Sequence, residues 1–187
     1  MKKIFLIAAL VFTLILSSCG KRDTLTLTNT DHASPDAWIA SYKVDIGHSV
    51  KSGKLRAELW QNGEATTTDA FAFDDETKTI DIVLRISGFR KSGEDEKLNV
   101  QITADDGSDQ QMTMVVYDLP DYVGYSVSAY EKGEKVDLSN SGEKILAAMA
   151  FDTGNGVRSF APESLVSEPE LLGDYSCIAI VRAEFDS

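Results

Sequence analysis

The sequence predicts an all-β fold, an antiparallel β-sandwich or jelly-roll-like single domain. Apolar residues alternate with polar ones along at least five segments. Gly-containing turn signals separate those segments. The chain is long enough to bury an ordinary core without disulfides. Alternation with period two marks strands buried on one face, and short turns between such strands mark antiparallel neighbours.

From Ala37, "AWIASYKVDI" places Trp38, Ala40, Tyr42, Val44 and Ile46 on one face. "KLRAELWQ" points Leu55, Ala57 and Leu59 inward and Lys54, Arg56, Glu58 and Trp60 outward. "KTIDIVLRI" turns Ile80, Ile82, Leu84 and Ile86 inward, and "KLNVQITA" does the same with Leu98, Val100, Ile102 and Ala104. In "YVGYSVSAY" the inward set is Val123, Tyr125, Val127 and Ala129, which leaves Tyr130 outward. "YSCIAIVRAEF" carries Cys177 on an apolar strand face, as a small core residue.

Ser52-Gly53, Asn62-Gly63, Asp106-Gly107, Lys132-Gly133 and "TGNG" at 153–156 are the turn signals. A two-residue turn at Asn62-Gly63 pairs Leu59 with Thr66, and then needs one bulged residue within Thr66–Thr68 to bring Phe71 and Phe73 inward. "DDET" predicts a hairpin pairing Phe71 with Ile80. "EKILAAMAFD" is apolar throughout Ile145–Phe151, so it is open between a strand buried on both faces and a short helix. Its β surroundings favour the strand. Pro162 and Pro169 predict that "APESLVSEPELLGD" is a loop with at most one helical turn.

The N-terminus has a different character. Lys2 and Lys3 precede the apolar run Ile4–Leu16, and the small residues Ser17 and Ser18 follow. That order is the order of a secretory signal peptide. The run is too short for a comfortable membrane span. Leu16-Ser17-Ser18-Cys19 resembles the lipobox of bacterial lipoproteins. The resemblance implies a diacylglyceryl group on the Cys19 thiol, cleavage before Cys19, and a domain held by lipid on the extracytoplasmic side of a bacterial membrane. The domain plan is then a signal peptide over 1–18, a lipidated cysteine with a polar tether over 19–36, and a β-sandwich over 37–187. "TLTLT" within the tether reads as a short edge strand.

Loss of Lys2 and Lys3 takes the formal charge from −12 to −14. Such a balance excludes nucleic acid as the natural partner, since basic residues must neutralise phosphates. The membrane, through the anchor, and a glycan or protein surface are the partners this reading predicts. The candidate ligand contacts are Trp60 and Tyr130, aromatic residues on outward faces. No catalytic residue, metal ligand or cofactor is assigned. His32 lies in the tether and His48 beside a turn, neither a rigid setting for a catalytic base. "DDGSD" at 105–109 and "FDDET" at 73–77 read as turns rather than calcium loops. "DTGNG" at 152–156 lacks the second aspartate of an aspartic-protease dyad. The function predicted is non-catalytic binding or an envelope role. The alternative is a carbohydrate hydrolase with an acidic pair in a β-sandwich cleft.

Overall fold

The computed structural model describes residues 22–34, 36–89, 97–139, 142–152 and 160–187. Two antiparallel sheets pack face to face. The strands, in chain order, are β1 Thr24–Ser34, β2 Ala37–Asp45, β3 Ser52–Gln61, β4 Glu64–Phe73, β5 Thr79–Ser87 and β6 Lys97–Asp105. They continue with β7 Gln110–Asp118, β8 Gly124–Ala129, β9 Lys135–Asp137, β10 Gly142–Asp152 and β11 Cys177–Asp186. Sheet A runs β7-β6-β5-β2-β1-β9, and sheet B runs β4-β3-β11-β10-β8. The all-β sandwich expected from the alternation is the fold observed. The inward residues assigned to β2, β3, β5 and β6 are all buried in the core between the sheets.

Several local expectations are corrected. Most of the expected tether is strand: β1 begins at Thr24 and pairs with both β2 and β9. Its threonines favour extended backbone, and Leu25 and Leu27 are fully buried. Asp23 fixes the start of this strand. Its buried carboxylate accepts from the backbone N–H groups of Gly47, Ser49 and Val50, and its carbonyl accepts from Leu138 N at 2.9 Å.

The Phe71–Ile80 hairpin does not form. β4 belongs to sheet B and β5 to sheet A, so residues 74–78 cross between the sheets. Both side chains still enter the shared core, from opposite sides. Alternation specifies which face is buried but not which sheet a strand joins.

The turn at Asn62-Gly63 is as expected, with both residues at positive φ and Leu59 opposite Thr66. The bulged residue is Ala70 rather than one of Thr66–Thr68. It falls where β4 meets β7, and the Ala70 carbonyl accepts from the Thr113 hydroxyl at 2.9 Å. Ser52-Gly53 is not a turn but the start of β3. A Cβ on Gly53 would meet the Phe73 ring and the Glu184 carbonyl at 2.3 and 2.5 Å, so close packing explains the glycine.

Residues 142–152 form a strand, and Ile145–Phe151 are buried on both faces. Leu146 is an extra residue in its pairing with β11, and its carbonyl accepts from the Tyr42 hydroxyl across the core. The burial on both faces has a structural cause. A third layer lies outside sheet B, made of α1, Pro162–Ser167, and a 3-10 segment, Pro169–Asp174. Both prolines open these helical pieces instead of interrupting them, because proline at the first position loses no intrahelical bond.

Asp23 carries a prediction. Burial pushes its pKa up, but the bonds from Gly47, Ser49 and Val50 outweigh this, and it rests below the ordinary carboxylate range. A lowered folded pKa stabilises above the unfolded pKa and ceases to do so as pH falls through the folded one. Asp23→Asn should therefore lower stability by about 1–2 kcal/mol at neutral pH. The gap from the parent should close below about pH 4. Urea melts at pH 7 and pH 3 check this, and an equal gap at both would contradict it.

Candidate functional site

The outer face of sheet B carries the site. At one end of that face, Ile145, Ala148 and Ala150 of β10 and Ile178 and Ile180 of β11 form a second small core with Leu165 of α1 and Leu172. Trp60 packs against it and is half-buried. Beyond the helical cover, the same face turns ionic. Arg56 of β3 stands opposite Arg182 of β11 in the ladder. Two like charges in that position repel. Carboxylates between them resolve the conflict.

Glu58 is 5 % exposed and Arg182 7 % exposed. Arg182 grips Glu58 in a fork, Nε to Oε1 at 3.0 Å and Nη2 to Oε2 at 3.2 Å. Arg56 Nε lies 3.4 Å from the same Oε1, and Trp60 Nε1 donates to Oε2 at 3.0 Å. Glu184 pairs with Arg56 and with Lys54. Glu143, at the start of β10, bridges Arg182 and Arg56 from the solvent side. The pattern is crosswise: each arginine binds the glutamate that its partner strand carries two residues further along.

A groove of about 420 Å³ opens between this network and the helical cover. Arg56, Glu143 and Thr67 form its polar wall, and Trp60, Leu165 and Leu172 its apolar wall. It suits a ligand with one polar and one apolar end. Acid–base hydrolysis needs a carboxyl free to hand over a proton. At this groove Glu58 already accepts three hydrogen bonds and lies in ionic contact with Arg56, and Glu143 bridges two guanidinium groups.

Trp60 is therefore not the open platform its outward register predicts, because the chain itself covers much of it. Tyr130 is corrected more fully. It is buried and belongs to the core between the sheets. β8 ends at Ala129, so the alternation that pointed Tyr130 outward stops one residue too early. Val123, expected inward, is exposed for the same reason, since β8 begins only at Gly124, whereas Tyr125 lies within β8 and is part-exposed because that strand is the sheet edge, its ring packing on Phe89. Tyr130 lines a second cleft, about 530 Å³, with Phe160, Glu131, Glu134 and Glu163. Burial first, then the carboxylates of Glu163 and Glu134, raise its hydroxyl pKa. Trp60 and Tyr130 thus line two different clefts.

Cys177 is buried, and burial pushes its thiol up to about 12. His48 is exposed in the β2–β3 loop, and His32 lies on β1 rather than in a tether. The 105–109 turn caps itself: Asp106 accepts from Ser108 N, Ser108 Oγ and Asp109 N at 2.7–2.9 Å. Cys19 and residues 153–156 of "DTGNG" lie outside the described residues. Among the described residues, no group of three or more His, Cys, Asp or Glu side chains is placed to hold a metal ion.

The arginine–glutamate network was missed from the sequence although a signal exists. "RAE" occurs at Arg56–Glu58 and again at Arg182–Glu184. Two copies on neighbouring antiparallel strands produce the crosswise pairing. No protein-family model matches this sequence, and no curated protein and no solved structure shows significant similarity to it.

Proposed function

We propose that this chain is an exported lipoprotein. Its β-sandwich is a non-catalytic binding or envelope module, held to a bacterial membrane through acylated Cys19. The carrying observation is the order Lys2-Lys3, Ile4–Leu16, Leu16-Ser17-Ser18-Cys19. The structure supplies a compatible frame, because an ordered β-domain begins at Asp23 and Thr24, only four residues after that cysteine. Two acyl chains anchor a protein stably where one binds only marginally. Among the described residues, no helix is long and apolar enough to cross a membrane. The groove beside Trp60 is the binding site this reading favours, for a ligand or a partner loop with polar and apolar ends.

Mass spectrometry of the mature protein tests the anchor. The expected N-terminus is a diacylated Cys19, and Cys19→Ala should move the protein from the membrane to the soluble fraction. A mature chain that retains Met1, or begins at an unmodified Gly20, overturns the reading.

A further inference from the structure

The outer face of sheet A differs from the rest of this acidic chain. Across β2, β5, β6 and β7, three successive ladder rows carry no carboxylate: Ser41–Val83–Thr103–Met112, Ile39–Arg85–Gln101–Met114 and Ala37–Ser87–Asn99–Val116. Arg85 is the one charge in them. Among the described residues, Asp31 on β1 continues the middle row past Ile39, and the flanking rows carry Asp81 with Asp105 on one side and Asp118 on the other. Of the apolar members, Ala37 is buried and Ile39 half-buried, while those on β5 and β7 stand in solvent. Met112 is 66 % and Met114 63 % exposed, and Val83 and Val116 are exposed beside them. An exposed apolar patch of this kind marks an interaction surface.

We infer that this methionine-edged face is a lipid-docking surface, on which the anchored domain lies against its own membrane. The inference rests on the anchoring reading above. Two observations choose lipid as the occupant. The first is chain length. Cys19 and Asp23 are four residues apart, so the leash reaches at most about 14 Å. Asp23 is fixed at the start of β1, a strand of the same sheet. β7 lies four strand spacings from β1, roughly 19 Å within that sheet. Laying the domain on the outer face of sheet A brings Met112 and Met114 to the headgroups without lengthening the leash. Tethering makes even a weak contact effective.

The second observation is charge. An anionic leaflet repels the mature chain, of formal charge −14 once Lys2 and Lys3 are lost from the full −12, and repulsion grows within a Debye length, about 8 Å at physiological salt. The three rows, neutral apart from Arg85, offer a face that meets little of this repulsion. Flexible methionine side chains suit an irregular headgroup surface.

The test uses the mature lipidated protein in vesicles of phosphatidylethanolamine and phosphatidylglycerol that carry a headgroup quencher. A dye is placed on Thr103→Cys in the patch, or on Ser167→Cys in α1 over the opposite sheet. The buried Cys177 does not compete for label. Quenching at position 103 should exceed that at 167 several-fold. Met112→Glu with Met114→Glu should erase the difference while the protein stays membrane-bound with an unchanged melting temperature. Equal quenching at both positions, or a difference that survives the double variant, overturns the docking alone. Cys19 without lipid overturns anchoring and docking together. A dimer in detergent that the double variant dissolves assigns the face to a second copy and overturns lipid docking.

Discussion

Arg182→Leu should lower the unfolding free energy by about 3–5 kcal/mol, the usual cost of breaking one side of a buried ion pair. Arg182 is 7 % exposed and donates two hydrogen bonds to Glu58, itself 5 % exposed. Removing the guanidinium leaves Glu58 with Trp60 Nε1 and the looser contact to Arg56. For a domain of this length the loss amounts to roughly 10 °C in melting temperature. The double variant Glu58→Met with Arg182→Leu should recover most of it. A buried pair replaced by apolar residues is often neutral or better, because both desolvation costs disappear together. Calorimetry of the parent, both single variants and the double variant gives the coupling energy. A loss below about 1 kcal/mol for Arg182→Leu would place the pair among ordinary surface ion pairs.

The same residues show what the sequence carried and what it did not. Period-two alternation identified the inner faces of β2, β3, β5 and β6 correctly, because a single buried face imposes that period directly. It misread the outer face of β3. Lys54, Arg56, Glu58 and Trp60 look like a solvated face, yet Glu58 is buried. Its solvation depends on Arg182, which arrives 124 residues later in the chain, and that of Trp60 on the small core under α1. Pairing between sheets was equally hidden. Nothing in "FAFDDETKTI" states that the chain leaves sheet B at Phe73 and enters sheet A at Thr79. Tyr130 failed for a local reason, since extrapolating alternation past the last strand residue has no physical basis. In residues 142–152 the apolar run carried the burial but left strand and helix open, with only the β surroundings favouring the strand that forms. An apolar run without alternation means burial on both faces, and β10 lies between the main core and the helical cover.

Trp60→Ala should cost about 2–3 kcal/mol, near 6–10 °C in melting temperature. A tryptophan buries some 150–250 Å² when fully enclosed, and at about 25 cal/mol per Å² a half-buried ring contributes roughly half of the full gain. The indole packs against the small core of Leu165, Leu172 and Ile178, and its Nε1 donates to Glu58. Truncation removes both at once and leaves Glu58 one donor short. Trp60→Phe separates the two effects, since it keeps most of the apolar contact and loses only the Nε1 bond. It should cost about 1 kcal/mol. Hydrogen exchange in α1 and the 3-10 segment should speed up in Trp60→Ala more than in the strands of sheet A, because the lost ring supports only the third layer. Trp38 is buried in the main core, so the fluorescence lost in the variant reports the Trp60 site alone. An unchanged melting temperature together with unchanged exchange in α1 would mean that the cover does not rest on Trp60. The ring would then be free to meet a ligand, as its outward register predicts.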